Sequence, residues 1–188
     1  MRRILVIIAL FQLCLSTAQK NDKNQIDSIF IQTKKIEIYA YYDQNKWDKN
    51  EKNTYLESKN IIEIPKKHIR NKVTLTSYKD IKKLKKSIVK SSNKIEERAN
   101  CYDPRHTIVF YNENNDIIGF VELCFSCMNS RTSNNFKVLK DKMLYQEKLF
   151  QEFGITYFED TKEENDAYWK KIEEKDLELQ QKFNKKNE

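Results

Sequence analysis

The sequence predicts an α+β fold, in which a small antiparallel sheet with a central hairpin packs against two or three helices. Three observations support this fold class. Two strand-like runs flank a polar five-residue loop at residues 112–116, which is the pattern of a β-hairpin. Residues 77–90 carry apolar side chains at helical spacing. From residue 161 onward a charged stretch repeats that spacing, which predicts a charged C-terminal helix.

The first 18 residues have the features of a secretory signal peptide. Arg2 and Arg3 supply positive charge, and the apolar run ILVIIALFQLCL is followed by small residues up to Ala18, where cleavage is expected. The run of about 12 residues is shorter than the ~20 residues that a membrane-spanning helix needs. We therefore expect an exported protein, periplasmic or secreted, that is not an integral membrane protein.

Cleavage leaves a single α+β domain, residues 19–160, and the charged helix, residues 161–188. Loss of Arg2 and Arg3 lowers the net charge from +7 to about +5. The whole chain has two glycines, which argues against a glycine-rich phosphate-binding loop. The domain is long enough to bury a sizeable core.

In the first half of the domain, residues 19–28 are polar and are expected to form a loose N-terminus. The next segment, KKIEIYAYYD at residues 34–43, alternates apolar and polar side chains, which predicts a strand. Residues 61–64 and 73–76 are short β-like runs on either side of Pro65.

Residues 77–90 form the predicted basic helix. Ser77 and Asp80 match a capping box at its start. Its apolar side chains share one face, and they are Ile81, Leu84, Ile88 and Val89. The opposite face is nearly all lysine, and residues 66–98 hold 12 basic and three acidic side chains. One interpretation is an anionic partner such as lipid headgroups, and the other is a solvated helix face.

The partner of this basic segment is not expected to be a nucleic acid. The lysines are not accompanied by a series of aromatic residues on which bases could stack. The expected export of the protein argues in the same direction. The functional interpretation of the basic segment is therefore contact with an anionic surface.

In the second half of the domain, residues 106–111 and 117–125 form the predicted hairpin. Gly119 inside the second strand indicates a bulge or a close backbone approach. Residues 136–153 are expected to form one helix that ends at Gly154. A short strand is expected to follow, over residues 155–158.

The tail begins with a second capping box, formed by Thr161 and Glu164. From residue 159 to the end the chain holds 10 acidic residues and seven lysines. We expect a peripheral helix with one packed apolar stripe. The alternatives are contact with the basic helix of the same molecule and contact with a partner.

Three cysteines remain after cleavage, and all three lie at the open end of the hairpin: Cys101, Cys124 and Cys127. If Tyr111 pairs with Ile117 across the loop, His106 lies opposite Glu122 and on the same face as Cys124. A slip of one residue would reverse this facing.

Three interpretations of this cluster stay open. In the first, Cys101 bonds to Cys127 or Cys124, as exported cysteines commonly do. In the second, the three thiolates and His106 hold one zinc ion, or one copper(I) ion, which thiolates also suit. In the third, Cys124 is a reactive thiol, either in a redox pair with Cys127 or activated by His106. Glu122 would then orient the imidazole.

The stretches CYDPRHTIVFY and IIGFVELCFSC, with a helix that ends in FGITYF, resemble a group of small exported proteins of flavobacteria and relatives. Their pattern is C-[YF]-x-P-R-H-x-I-x-F, followed by E-x-C-x-x-C. The resemblance covers about residues 101–158, and the matching positions are Cys101, Pro104, Arg105, His106, Glu122, Cys124 and Cys127. It implies export and a hairpin module, and it implies no activity.

We therefore expect a non-enzymatic protein that binds a partner protein or an envelope component, with structural cysteines and no cofactor. The alternative is a metal-binding or thiol-active protein built on the three cysteines and His106, with one zinc or copper ion. Arg105 and Glu122 are its supporting residues. Arg105 is also suited to bind a carboxylate or phosphate, although an arginine beside a proline turn more often caps a loop.

Overall fold

The computed structural model describes residues 21–51, 64–90, 101–140, 142 and 147–185. Within these residues the chain has the predicted α+β fold, with an antiparallel sheet and several helices. The predicted signal peptide and residues 61–63 of one predicted strand lie outside the described residues.

The described residues form one five-stranded sheet in which every neighbouring pair is antiparallel. Its strands are β1 (Lys35–Tyr41), β2 (Ile69–Leu75), β3 (His106–Tyr111), β4 (Ile117–Cys124) and β5 (Asn129–Thr132). The order across the sheet is β2-β1-β3-β4-β5. The hairpin β3–β4 is confirmed and lies next to β1. Strand β5 was not predicted, because its sequence NSRT has no alternating apolar side chains.

Four α-helical segments of seven residues or more are described, and residues 49–51 are a further short helical stretch. The four longer segments are α1 (residues 21–32), α2 (Tyr78–Lys90), α3 (Glu147–Phe153) and α4 (Lys162–Asn184). Short 3₁₀ helices cover Gln44–Lys46, Lys66–His68 and Asn134–Leu139. The predicted capping box of Thr161 and Glu164 is present with both of its bonds. At the start of α2 the Ser77 hydroxyl accepts from the Asp80 N–H and donates to the Asp80 carboxylate, so Ser77 caps the helix with one of the two bonds of a capping box.

The expected loose N-terminus is wrong, because residues 21–32 are helical. Ile26, Ile29 and Phe30 are buried in the core. Their spacing of three and four residues places them on one side of α1. Three apolar side chains at this spacing are enough to anchor a segment that is otherwise polar.

The single helix expected over residues 136–153 is also wrong. The structure instead has the 3₁₀ helix Asn134–Leu139 and the separate helix α3. Lys140 ends the first of these with an extended ψ of 138°, so the α-helical spacing of apolar residues does not continue through it. Gly154 ends α3 in the left-handed region, at φ 99°, as predicted.

Residues 155–158 do not form the expected strand. The Ile155 N–H instead donates to the carbonyl of Phe150, which closes the end of α3. The Thr156 N–H donates to Oδ1 of Asn71 at 2.7 Å. Tyr157 and Phe158 pack against the main core. The segment is therefore an extended connection over the core and takes no part in the sheet.

The two faces of the sheet differ in chemistry. The helix face packs against α1, α2 and α3, and its buried side chains are Ile36, Ile38, Ile108, Phe110, Val121 and Leu123. The other face, here called the polar face, carries the buried side chains of Glu37, Thr107 and Glu122. A smaller apolar cluster lies there as well, made of Tyr41, Trp47, Ile64 and Phe120.

A β-bulge sets the register of the central hairpin. Tyr111 pairs with Ile117 as predicted, but the register shifts between Phe110 and Tyr111, so that Phe110 pairs with Gly119. The bulge adds one residue to β4 on one side of the ladder. From His106 to Phe110 every residue of β3 therefore meets a partner one position later than expected.

The predicted pairing of His106 with Glu122 is therefore wrong. His106 pairs with Leu123 on the helix face, and Glu122 pairs with Thr107 on the polar face. Because strand side chains alternate, the one-residue shift moves Glu122 and Cys124 to the face of the sheet opposite His106.

Gly119 is required by a close contact rather than by its backbone conformation. A Cβ at this position would overlap the ring of Phe136, which is buried and packs against Phe110 with ring centroids 5.0 Å apart. The predicted close backbone approach at Gly119 is thus confirmed, and it lets the 3₁₀ helix cover the hairpin.

We expect Gly119→Ala to lower the free energy of unfolding by about 1–3 kcal/mol, because an extra methyl group in a packed core forces side chains out of place. Urea denaturation of both proteins measures the change. Phe136→Leu removes the ring, so the double variant should lose less stability than the sum of the two single variants. Equal stability of Gly119→Ala and the wild-type protein would contradict the close contact.

Candidate functional site

Cys101 and Cys127 lie at disulfide-bonding distance, with their Cα atoms 5.7 Å apart. They are 26 residues apart in the chain, so their bond closes a loop that contains the whole β3–β4 hairpin. Cys101 is exposed and Cys127 is buried. Of the two pairings left open by the sequence, the structure has Cys101 with Cys127.

Cys124 is the free thiol among the described cysteines, and it is buried. The backbone N–H of Cys127 donates to its Sγ at 3.2 Å, and Ser126 Oγ lies 3.5 Å from the same sulfur. The thiol is therefore held at the end of β4 by the turn that leads to β5, beside the disulfide.

His106 lies in an aromatic pocket on the helix face. Its ring centroid is 4.9 Å from that of Phe125, 5.9 Å from that of Phe150 and 5.0 Å from that of Phe158. Nε2 is 2.9 Å from the Tyr157 carbonyl oxygen, and Nδ1 has no hydrogen-bond partner among the described residues. Burial lowers the pKa of His106 to about 4. The imidazole is thus neutral at pH 7, with Nε2 as the donor.

The predicted set of three thiolates and His106 is not brought together. Among the described residues, the group with the spacing of metal ligands is Cys101, Asp103 and Cys127, whose ligand atoms lie within 4.8 Å of one another. Two of these three are the paired cysteines. His106 and Cys124 point to opposite faces of the sheet and are absent from this group.

Glu122 is fully buried on the polar face. Gln44 Nε2 and the Tyr102 hydroxyl each donate to its carboxylate at 2.7 Å, and the Tyr41 hydroxyl donates at 3.2 Å. Arg131 Nε forms an ion pair with it at 2.9 Å. A buried carboxylate needs such a set of donors. Glu122 therefore does not orient His106, and it connects β4 to β1, β5 and the loop before β3.

Glu37 is a second buried carboxylate on the polar face, and the sequence did not single it out. Lys72 Nζ lies 2.9 Å from it, and the hydroxyls of Tyr39 and Tyr111 donate to it. Burial alone would raise the pKa of Glu37. The hydrogen bonds outweigh that effect and lower the pKa to about 2. Glu37 is therefore ionised and bonded within the sheet.

Arg105 caps a loop, which is the structural alternative given for it above. Its guanidinium lies 3.1 Å from Asp43 Oδ2 and 3.3 Å from Asp160 Oδ1. Burial raises the pKa of Asp160, but hydrogen bonds from Lys46 and Tyr157 and the charge of Arg105 outweigh it and keep that pKa below its ordinary value. Arg105 thus joins the end of β1 to the segment before α4.

A groove of about 620 Å³ lies between α1 and α2, away from the cysteines. We call it the basic groove, and its lining is Lys23, Asp27, Phe30, Ile31, Thr33, Lys34, Thr76, Tyr78, Ile81, Lys82, Lys85, Lys86 and Val89. Three apolar or aromatic side chains in it are exposed, Ile31 by 72%, Tyr78 by 76% and Val89 by 44%. Exposed apolar side chains grouped in one groove are typical of binding surfaces.

The charge of the basic groove is strongly positive. Lys85 forms an ion pair with Asp27, the single acidic side chain in the lining, at 2.7 Å. The other four lysines form no ion pair among the described residues, and they are Lys23, Lys34, Lys82 and Lys86. The sequence predicted the lysines of α2, but it did not predict α1, which supplies the other wall.

A second cavity, of about 370 Å³, lies where α4 meets the sheet. Its charged side chains are largely paired with one another, as in the ion pairs of Arg70 with Glu164 and of Lys171 with Asp48. Helix α4 is therefore anchored beside β2 through its first turns. The expected packed stripe on α4 is wrong, since none of its residues is buried and Trp169, Leu179 and Phe183 are at least 60% exposed.

No protein-family model, curated protein or solved structure matches this chain. The resemblance to small exported flavobacterial proteins stays a prediction. In the described part of the chain, every helix is too short or too polar to cross a bilayer.

The paired cysteines lead to a thiol count that can be measured. After the expected cleavage, alkylation in denaturant followed by intact-mass measurement should find one reactive thiol without reductant and three with it. Cys101→Ser should lower the free energy of unfolding by about 3 kcal/mol in the chain-entropy model of a loop of this length. Three reactive thiols in protein prepared without reductant would overturn the disulfide.

The buried imidazole of His106 leads to an acid sensitivity. Below pH 6.5 the unfolded chain binds a proton at His106 that the folded chain does not bind until about pH 4. The free energy of unfolding should therefore fall by up to about 3 kcal/mol between these pH values from this residue alone. His106→Gln has no such titration, so its stability should depend less steeply on pH. An equal dependence of the free energy of unfolding on pH in both proteins would contradict the role of His106.

Proposed function

We propose that this protein is an exported, non-enzymatic binding protein that attaches to an anionic component of the cell envelope through the basic groove. One observation carries the proposal. Apolar side chains lie exposed in a groove whose rim holds five lysines and one aspartate. Such a surface favours ligands that combine negative charge with apolar groups.

The arrangement of the hairpin end supports a structural role for its cysteines. The Cys101–Cys127 pair closes the open end of β3–β4, and Cys124 lies buried behind it. His106 is enclosed by phenylalanine rings, and the Glu122 carboxylate is bonded to four side chains. These groups stabilise the sheet that carries the basic groove.

Export is supported by two independent features of the chain. Disulfides form and persist in oxidising compartments, and the paired cysteines are compatible with that setting. The first 18 residues have the composition of a signal peptide. The proposed location is therefore the periplasm or the cell exterior, and the proposed ligand belongs to the envelope.

The test is binding to vesicles at several salt concentrations. We expect sedimentation with vesicles that contain phosphatidylglycerol at low salt, weaker binding as salt screens the charges, and no binding to vesicles of phosphatidylcholine alone. Lys82→Glu with Lys86→Glu should abolish the binding. Lys79→Glu with Lys137→Glu is the matched control, because it changes the net charge equally at exposed lysines outside the groove.

Failure of the wild-type protein to bind anionic vesicles at low salt would count against attachment to a membrane surface. Equal loss of binding in both double variants would show that only net charge matters. In that case the basic groove would have no specific role.

A second candidate function is thiol or metal chemistry at the hairpin end. It is favoured by the contact of 3.2 Å between the Cys124 sulfur and the Cys127 N–H, which holds a free thiol beside the paired cysteines. Reduction would also free Cys101 and Cys127 beside Asp103. One zinc or copper ion per chain by elemental analysis would favour this candidate. A thiol-exchange rate that Cys124→Ser abolishes without loss of stability would favour it equally.

A further inference from the structure

The lining of the basic groove has two chemically distinct parts. Its apolar part is formed by Phe30, Ile31, Ile81 and Val89, which come from both α1 and α2. Its charged part is formed by lysines of the same two helices. A ligand that fits both parts has an apolar chain and an anionic head.

We infer that the basic groove binds a single long-chain fatty acid, with the acyl chain along the apolar part and the carboxylate at the lysines. This inference rests on the proposed function and narrows its ligand class. Each methylene removed from water contributes about 0.8 kcal/mol in model transfer. An acyl chain is therefore the kind of apolar group that the apolar part of the groove would bind well.

The size of the groove favours a small ligand over a flat surface. Its volume of about 620 Å³ lies within the range of roughly 300–1,000 Å³ that is typical of small-molecule sites. A bilayer surface would contact the lysines on the rim, but it would leave the space between α1 and α2 unfilled. A single inserted chain fills that space.

The lysines of α2 are arranged to hold one carboxylate. Lys82 and Lys86 are four residues apart on the helix, so their stems are neighbours on one side of it. Like charges at this spacing repel each other and destabilise the helix. A carboxylate between them would relieve that repulsion. Lys85, which lies between them in sequence, is already paired with Asp27.

The charge of the groove also argues against a symmetric dimer in which the grooves of two copies of this chain contact each other. In a twofold interface each groove would face itself, and the lysines of one copy would meet the lysines of the other. Helix α4 of another copy is exposed and acidic, but it has no single apolar face that could fill the groove. Leu177 and Leu179 are both exposed and, at two residues apart, lie on different sides of the helix.

The experiment titrates the full exported protein, disulfide intact, with carboxyl-¹³C palmitate below its micellar concentration. Calorimetry and the carboxyl NMR signal should both give one palmitate per chain. Hexadecanol, which has the same chain without the charge, should bind at least about tenfold more weakly. Octanoate should bind more weakly as well, because it buries fewer methylenes.

Two variants separate the two parts of the groove. Lys82→Glu with Lys86→Glu should weaken palmitate binding at least about tenfold, since lysines near an anion each contribute measurably to affinity. Ile31→Glu should weaken it comparably, and because Ile31 is 72% exposed the variant is expected to fold. Lys79→Glu with Lys137→Glu should bind palmitate as the wild-type protein does.

The outcomes distinguish this inference from the proposed function. Binding to anionic vesicles without binding of monomeric palmitate would overturn the fatty-acid site and leave the proposed function standing. Equal affinity for palmitate and hexadecanol would overturn the role of the lysines. A dimer in sedimentation velocity that Lys82→Glu with Lys86→Glu dissociates would assign the groove to another copy of the chain. Absence of binding to both vesicles and palmitate would overturn both proposals.

Discussion

The bulge between Phe110 and Tyr111 determines what each face of the sheet contains. It places His106 among the apolar side chains under the helices and Glu122 among tyrosines and an arginine on the other face. A neutral imidazole tolerates an apolar pocket with one hydrogen bond, whereas a buried carboxylate needs several donors. Without the bulge the two groups would lie on the same face, so either the imidazole would lose its apolar pocket or the carboxylate would lose its donors. The register is thus fixed by the cost of burying charge as well as by apolar packing.

Much of the fold could be predicted from the sequence where local signals are strong. The alternation in β1, the hairpin β3–β4, the helix α2 and the caps at Ser77 and Thr161 are each encoded within a few neighbouring residues. Helix α1 was missed because only three apolar side chains define it, and β5 because it is polar and depends on pairing with β4. The break after Leu139 was missed because apolar spacing alone cannot show that Lys140 leaves helical geometry.

The candidate site was predictable in its parts and not in its arrangement. The sequence placed the cysteines at one end of the hairpin and predicted a disulfide of Cys101, but it left Cys124 and Cys127 both open as the partner, and the structure has Cys127. Gly119 indicated a bulge only as one of two alternatives, and the strands were paired without it, so the sequence put His106 on the same face as Cys124. The donors to Glu122 come from Gln44, Tyr102 and Arg131, which are far apart in sequence and meet only in the fold. The basic groove likewise needs α1, which left too weak a pattern to be recognised.

Helix α4 combines a firmly held beginning with an unsupported remainder. Its capping box and the contacts of Glu164 with Tyr42 and Arg70 hold the first turns against the sheet. From residue 173 to residue 184 every side chain is exposed. A helix of 23 residues is about 35 Å long, so more than half of that length depends on its own hydrogen bonds alone. Local opening therefore costs progressively less toward the C-terminus, and amide hydrogen exchange and proteolytic cleavage should be fastest at that end of the chain.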